Sequence, residues 1–208
     1  MNNIPKIKIC GISRHIDIEY VNELKPDYIG FIFAKSRRRI SPELALTLRE
    51  KLNPEIKSVG VFVDETVDTI VNLTKSGIID IIQLHGNEDN DYIHSIREQT
   101  DKPIIKAAVI EHPHELEKHL NLTADYLLFD SKGGGTGKPF DWDLIKEVKQ
   151  PFFLAGGLNC DNIKTAIEKT TPFAVDVSSG VEVDGVKDYD RIKAFIGEIR
   201  EGRIYAGG

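Results

Sequence analysis

Five apolar runs in this chain end on side chains able to move protons or hold charge. Cys10 closes KIKIC, and Gln83 with His85 closes IIQLH. Lys106 closes PIIK, Asp130 closes YLLFD, and Asp176 with Ser178 and Ser179 closes FAVDVSS. Thiol, imidazole, ammonium and carboxylate are the usual proton carriers of catalysis. Each also has a plainer structural role. A lone Cys in a strand is a small buried hydrophobe, an Asp after an apolar run caps a helix or shapes a turn, and a His closing a strand is a satisfied hydrogen-bonder. What separates the readings is whether the five endings meet.

The elements that would bring them together repeat along the chain. Strands are expected at Lys6–Cys10, Tyr28–Phe33, Ser58–Val63, Ile79–His85, Pro103–Ala107, Tyr126–Asp130, Phe152–Ala155 and Phe173–Val177. Helices are expected between and after them at Arg14–Leu24, Pro42–Leu52, Thr66–Lys75, Asp91–Arg97, His114–Leu120, Trp142–Val148, Asp161–Glu168 and Asp188–Arg200. Ser41-Pro42-Glu43 is a helix-start signal with proline in the first turn. Successive strand ends lie 21 to 30 residues apart, with no break in composition between them. Runs such as GVFV and YLLF are continuously apolar, as parallel strands covered on both faces must be. The expected fold is therefore α/β, a single (β/α)8 barrel over residues 1–208 with a parallel eight-stranded core. An open doubly wound sheet is the alternative. In the barrel, active sites stand at the C-terminal ends of the strands, so the five endings share one rim. Structural residues have no reason to gather there.

Two glycine segments suggest a phosphate. AGGLN (155–159) follows the seventh strand and SSG (178–180) follows the eighth, where this fold commonly holds phosphate on backbone N–H groups. Glycine lets the main chain approach an anion without a Cβ in the way. GGGTGK (133–138) lacks the P-loop spacing because Pro139 follows the lysine, and a lid suits it better. Lys35-Ser36-Arg37-Arg38-Arg39 lies just past the second strand. At least two of these four cations are expected to be solvated, while one arginine reaching inward would offer a planar fork to a carboxylate. The implied ligand carries a phosphate and a carboxylate, held from opposite sides of the mouth.

Composition narrows the class. Among 208 residues the apolar set is 40% and the charged set 29%, an ordinary globular balance. No apolar run approaches the roughly 18 residues of a membrane span. MNNIPKIKIC has no secretory pattern, so a cytoplasmic protein is expected. A net charge of −6 argues against a nucleic-acid partner. Two cysteines, Cys10 and Cys160, make neither a disulfide framework nor a four-ligand zinc site.

KICGI (8–12), GFIFAKSRRRISP (30–42), VGVFVDE (59–65), QLHGNE (83–88), LLFDS (127–131), GGTGKPFDW (134–142), LAGGLN (154–159) and PFAVDVSSGVE (172–182) together closely resemble the phosphoribosylanthranilate isomerase family of tryptophan biosynthesis. The matches are collinear and span essentially the whole chain. The resemblance implies a (β/α)8 barrel that turns N-(5-phosphoribosyl)anthranilate into 1-(2-carboxyphenylamino)-1-deoxyribulose 5-phosphate by an Amadori rearrangement, without metal or organic cofactor, as a monomer or homodimer. It also implies roles. Cys10 matches the general base, Asp130 the general acid and Arg38 the arginine that binds the anthranilate carboxylate. Gly156, Gly157, Ser179 and Gly180 fall in phosphate-binding segments, and Gln83, His85 and Asp176 are matched rim residues. Arg39 directly follows Arg38, which leaves a neighbouring register open. Cys160 stands where proline would suit a first helical turn.

The implied chemistry makes opposite demands on the two reacting groups. A thiol of ordinary pKa near 8.5 is mostly protonated at neutral pH, so Cys10 needs a nearby cation such as Lys8, or the substrate's iminium charge. A free aspartate is ionised at pH 7, so Asp130 must be desolvated or set near another anion. A phosphate-binding lyase resembling indole-glycerol-phosphate synthase, with Lys106 as its rim lysine, is one alternative; a non-catalytic phosphometabolite-binding protein is another.

Overall fold

A computed structural model describes residues 4–110, 112–131 and 140–201. Eight parallel strands form the core: β1 Lys6–Cys10, β2 Tyr28–Ile32, β3 Lys57–Phe62, β4 Ile81–Leu84, β5 Ile104–Val109, β6 Tyr126–Asp130, β7 Phe152–Leu154 and β8 Ala174–Val177. Each pairs with the next, and β8 returns to β1 with Lys6 opposite Ala174 and Val177 opposite Ile9, so the barrel is closed. The expected strands are all present, shifted by at most two residues at an end. The helices are α1 His15–Leu24, α2 Pro42–Lys51, α3 Val67–Lys75, α4 Asn90–Arg97, α5 Pro113–Leu120, α6 Ile163–Thr170 and α7 Tyr189–Glu201. Ser41 caps α2 by accepting from the Leu44 N–H, with Pro42 in the first turn, as its sequence signal requires.

One expected helix is absent. Trp142–Val148 forms only a 3₁₀ turn over Trp142–Leu144, and the N–H groups of Leu144, Ile145 and Val148 each bond three residues back. Seven residues are too few to carry a helix on propagation alone. Here packing decides instead: Ile145 is buried, and Trp142, Leu144 and Val148 lie on the core.

The apolar interior has two layers. Ile7, Ile9, Ile82, Leu84, Leu127, Phe129, Val175 and Val177 point outward from the strands into the layer beneath the helices. Val59, Ile81, Ile105, Leu128, Phe153 and Ala174 fill the lumen. Side chains alternate faces along a strand, so the lumen layer fixes the direction of every rim residue. Lys8 and Cys10 share their parity with Lys6, opposite to Ile7 and Ile9. Gln83 and His85 follow Ile81, Asp130 follows Leu128, and Asp176 follows Ala174.

Candidate active site

That alternation delivers the expected residues to one place. Cys10, Arg38, Gln83, His85, Asp130, Gly156, Gly157, Asp176 and Ser179 all line a cavity of about 270 Å³. Gly180 does not line it. A Cβ on Gly180 would lie 2.0 Å from the Leu158 carbonyl oxygen, so its glycine lets the loop after β8 pack on the loop after β7. Lys106 is also placed elsewhere. It shares the parity of Ile104 and Ala108, which face the outer layer. Its ammonium meets Glu88 Oε2 at 3.1 Å and the carbonyls of Gly86 and Ala107 at 2.8 and 3.1 Å. The expected lid, residues 133–138, lies outside the described residues.

Cys10 ends β1 directly opposite Gly30 of β2. A Cβ on Gly30 would stand 2.6 Å from the Cys10 sulfur, so that glycine is what makes room for the thiol. Beneath Cys10 lies Lys8, fully buried, whose Nζ bonds Asp176 Oδ2 at 2.7 Å and Gln83 Oε1 at 2.8 Å. Burial opposes the Lys8 charge, but Asp176 and Cys10 outweigh it and hold the pKa above the usual lysine value. The help expected for Cys10 is incomplete. Burial pushes its thiol pKa up; Lys8 pulls it down, Asp176 raises it again, and the net position is above the ordinary value. The buried cation is largely answered by its own carboxylate.

Asp130 closes β6. Its Oδ1 accepts from the Ser131 N–H at 2.7 Å, and its Oδ2 lies 3.2 Å from His85 Nε2. His85 Nδ1 in turn lies 2.9 Å from Gln83 Nε2. Asp130 is itself buried.

The loop after β7 carries two glycines in left-handed backbone. Gly156 and Gly157 have φ of +82° and +67°, a region that favours glycine. A Cβ on Gly156 would lie 2.4 Å from the Ser131 nitrogen and 2.9 Å from Asp130 Oδ1. The N–H groups of Gly156, Gly157 and Leu158 bond nothing among the described residues. They remain free for an anion.

Of the basic run, Lys35, Arg37 and Arg39 are exposed, and Arg38 alone turns inward, its side chain 12% accessible. Arg38 is therefore the arginine of the run that lines the cavity. Two features differ from expectation. Only β1 separates β2 from β8, so Arg38 stands beside the segment after β8 rather than opposite it. Its Nε–Nη2 edge is already taken by Glu182, at 2.6 and 2.8 Å. Glu182 begins a two-stranded hairpin, β9 Glu182–Val183 and β10 Val186–Lys187, closed at Asp184-Gly185 with φ of +51° and +82°. An Asp-Gly pair with both φ positive is a favoured two-residue hairpin turn. Glu182, Lys187 and Gly30 were not read as site residues from sequence. The Asp-Gly turn within EVDGVK was the available signal for the first two.

Among the described residues, no group of three or more His, Cys, Asp or Glu side chains is placed to hold a metal ion, and no helix is long and apolar enough to cross a membrane.

Comparison with known proteins agrees with this geometry. The family described as N-(5'phosphoribosyl)anthranilate (PRA) isomerase matches residues 7–198. The N-(5'-phosphoribosyl)anthranilate isomerase of Endomicrobium trichonymphae is 49% identical over 193 residues, covering 91% of this chain and 95% of that protein. The crystal structure of phosphoribosyl anthranilate isomerase from Thermus thermophilus superposes with a TM-score of 0.87 at 32% identity, over 95% of this chain and 100% of the other. A further isomerase, solved in complex with reduced 1-(o-carboxyphenylamino)-1-deoxyribulose 5-phosphate, gives a TM-score of 0.83 at 36% identity, over 95% and 99% of the two chains. The chain belongs to the N-(5'-phosphoribosyl)anthranilate isomerase family.

Proposed function

We propose that this enzyme isomerises N-(5'-phosphoribosyl)anthranilate to 1-(2-carboxyphenylamino)-1-deoxyribulose 5-phosphate with Cys10 as general base and Asp130 as general acid. The carrying observation is that a buried thiol and a carboxylate, from β1 and β6, line one cavity with the glycine loop after β7. The ligand of the solved relative has a carboxyl at one end and a phosphate at the other. Arg38 takes the carboxylate through Nη1, the nitrogen that Glu182 leaves free, and the loops after β7 and β8 take the phosphate, with Gly156, Gly157 and Ser179 at the cavity wall.

Asp130 gives a proton to the furanose ring oxygen. The bond from that oxygen to C1 breaks, and the nitrogen lone pair forms a C1–N iminium. Cys10 removes the proton from C2, and that electron pair forms the C1–C2 double bond of an enolamine while neutralising the iminium. The C2 hydroxyl then loses its proton and C1 gains one, leaving the ketone. The iminium charge favours the thiolate that Lys8 alone does not produce. Gln83, His85 and Asp176 support the two reacting groups.

The lyase reading needs a rim lysine in the cavity, and Lys106 points into the outer layer against Glu88. A monomer or a homodimer is the proposed assembly, and the cytoplasm is the proposed compartment. The test is the loss of anthranilate-type fluorescence when purified protein meets freshly made phosphoribosylanthranilate. Asp130→Asn should abolish that loss with circular dichroism unchanged. Turnover within about threefold of the parent, a barrier change under roughly 0.7 kcal/mol, would move the acid role to His85.

A further inference from the structure

A single line of polar contacts runs from the buried ammonium to the acid. Lys8 Nζ donates to Gln83 Oε1 at 2.8 Å, Gln83 Nε2 meets His85 Nδ1 at 2.9 Å, and His85 Nε2 meets Asp130 Oδ2 at 3.2 Å. The first contact decides all the others. An ammonium has three donors and no acceptor, so the atom of Gln83 facing it must be the amide oxygen. Turning the amide over would set an NH₂ against an NH₃⁺, two donors with nothing between them. The amide NH₂ therefore faces His85, and a group with only donors requires a lone pair on Nδ1. A neutral imidazole has one proton, which then sits on Nε2, the nitrogen 3.2 Å from Asp130 Oδ2. Lys8 keeps its charge because Asp176 lies 2.7 Å away on the other side.

We infer that Lys8 and Gln83 are positioning residues that lock His85 as its Nε2–H tautomer, so that an N–H donor meets Asp130 as it releases its proton. The inference rests on Asp130 being the acid. A hydrogen bond to a carboxylate is stronger than one to a neutral acid. The His85 donor therefore gains strength as the proton leaves Asp130 for the ring oxygen, which stabilises the transition state more than the ground state. The other tautomer would set a lone pair against the developing carboxylate and oppose the transfer. One buried cation thus serves both reacting groups, Cys10 directly and Asp130 through two side chains.

The test is Gln83→Met, which keeps the length of the side chain and removes donor and acceptor together. Ring-nitrogen correlation spectra of His85, assigned by comparison with His85→Asn, should show Nε2–H in the parent and loss of that preference in the variant. kcat should fall about tenfold to 150-fold, the effect of a charge-assisted hydrogen bond, with KM within about threefold. Alkylation of Cys10 should keep its rate, because Lys8 stays beside the thiol. An Nδ1–H tautomer in the parent, or an unchanged tautomer or kcat in the variant, overturns the lock. If Gln83→Met does not fold, Gln83→Glu carries the same readout. Its carboxylate accepts from Lys8 and from Nδ1, so Nδ1 must gain a proton, and an Nδ1 that stays bare overturns the inference. Failure of the acid assignment looks different: Asp130→Asn would retain turnover whatever the His85 spectrum shows.

Discussion

Arg38 and Glu182, 144 residues apart in sequence, meet at the barrel mouth through two hydrogen bonds, Nε to Oε1 at 2.6 Å and Nη2 to Oε2 at 2.8 Å. The same carboxylate accepts from Arg37 Nη2 at 2.7 Å and from buried Lys187 Nζ at 2.5 Å. Glu182 is therefore the anchor on which the arginine beside the cavity is mounted. Burial favours its neutral form, but the Arg38 hydrogen bonds and the Lys187 charge outweigh that and hold its pKa below the ordinary 4.5.

Glu182→Gln leaves the Lys187 ammonium without its counter-ion. We expect a loss of about 1–3 kcal/mol of stability at neutral pH, read from urea unfolding midpoints. The pH dependence has a definite sign. A carboxyl with a depressed folded pKa contributes stability above its unfolded value, and that contribution is lost as pH falls through the folded value. The difference between parent and variant should therefore shrink below about pH 4.5. A difference that grows on acidification would contradict the ion-pair account.

Arg38→Met removes the donors near the substrate carboxylate and keeps much of the aliphatic stem. kcat/KM should fall roughly tenfold to 150-fold, the range of a charge-assisted hydrogen bond. Binding of an analogue lacking the carboxylate should change little. Arg39→Met alters an exposed cation and should be close to neutral, as should Arg37→Met, whose ion pair with Glu182 is 59% accessible on the arginine side. Equal losses for both ligands would give Arg38 a role at the phosphate or in the fold.

Cys10→Ala should slow turnover by about 10²–10⁴-fold, the usual effect of removing a general base, with substrate affinity nearly unchanged. Cys160→Ala serves as the control. Because burial raises the Cys10 thiol above the ordinary thiol value, alkylation of the free enzyme by iodoacetamide should be slow at pH 7 and still rising beyond pH 9. A plateau near neutrality would mean that Lys8 generates a thiolate without substrate.

Gly30→Ala sets a methyl carbon 2.6 Å from the Cys10 sulfur. Overpacking of this kind costs about 1–3 kcal/mol, and the thiol must rotate or shift. Thermal unfolding should register the loss, and turnover should drop further than Cys160→Ala lowers it. Parental activity together with parental stability would show that the strand pair has slack at this point.

The sequence alone determined the periodic parts of this protein. Eight apolar runs at a βα interval point to a parallel sheet, and the common direction of its strands puts their C-terminal ends on one side. Cys10, Gln83, His85, Asp130 and Asp176 were legible because each ends a run, and Gly156 and Gly157 because a glycine pair follows the seventh run. Which side chains face one another follows from the closed barrel. Lys106 ends a run as Asp130 does, yet its parity on β5 turns it to the outer layer against Glu88, and parity has no meaning until the sheet closes. Trp142–Val148 has a helical pattern, as His114–Leu120 does, yet with its side chains packed on the core it forms only a 3₁₀ turn. Arg38 stands beside the segment after β8 because β1 joins β2 to β8, and its Glu182 partner comes from a hairpin that follows the last barrel strand. Lys8 and Asp176 lie 168 residues apart, and their contact exists only through the β1–β8 pairing that closes the barrel. Local periodicity is written in neighbouring residues, whereas charge pairing across a barrel depends on which strands end up adjacent.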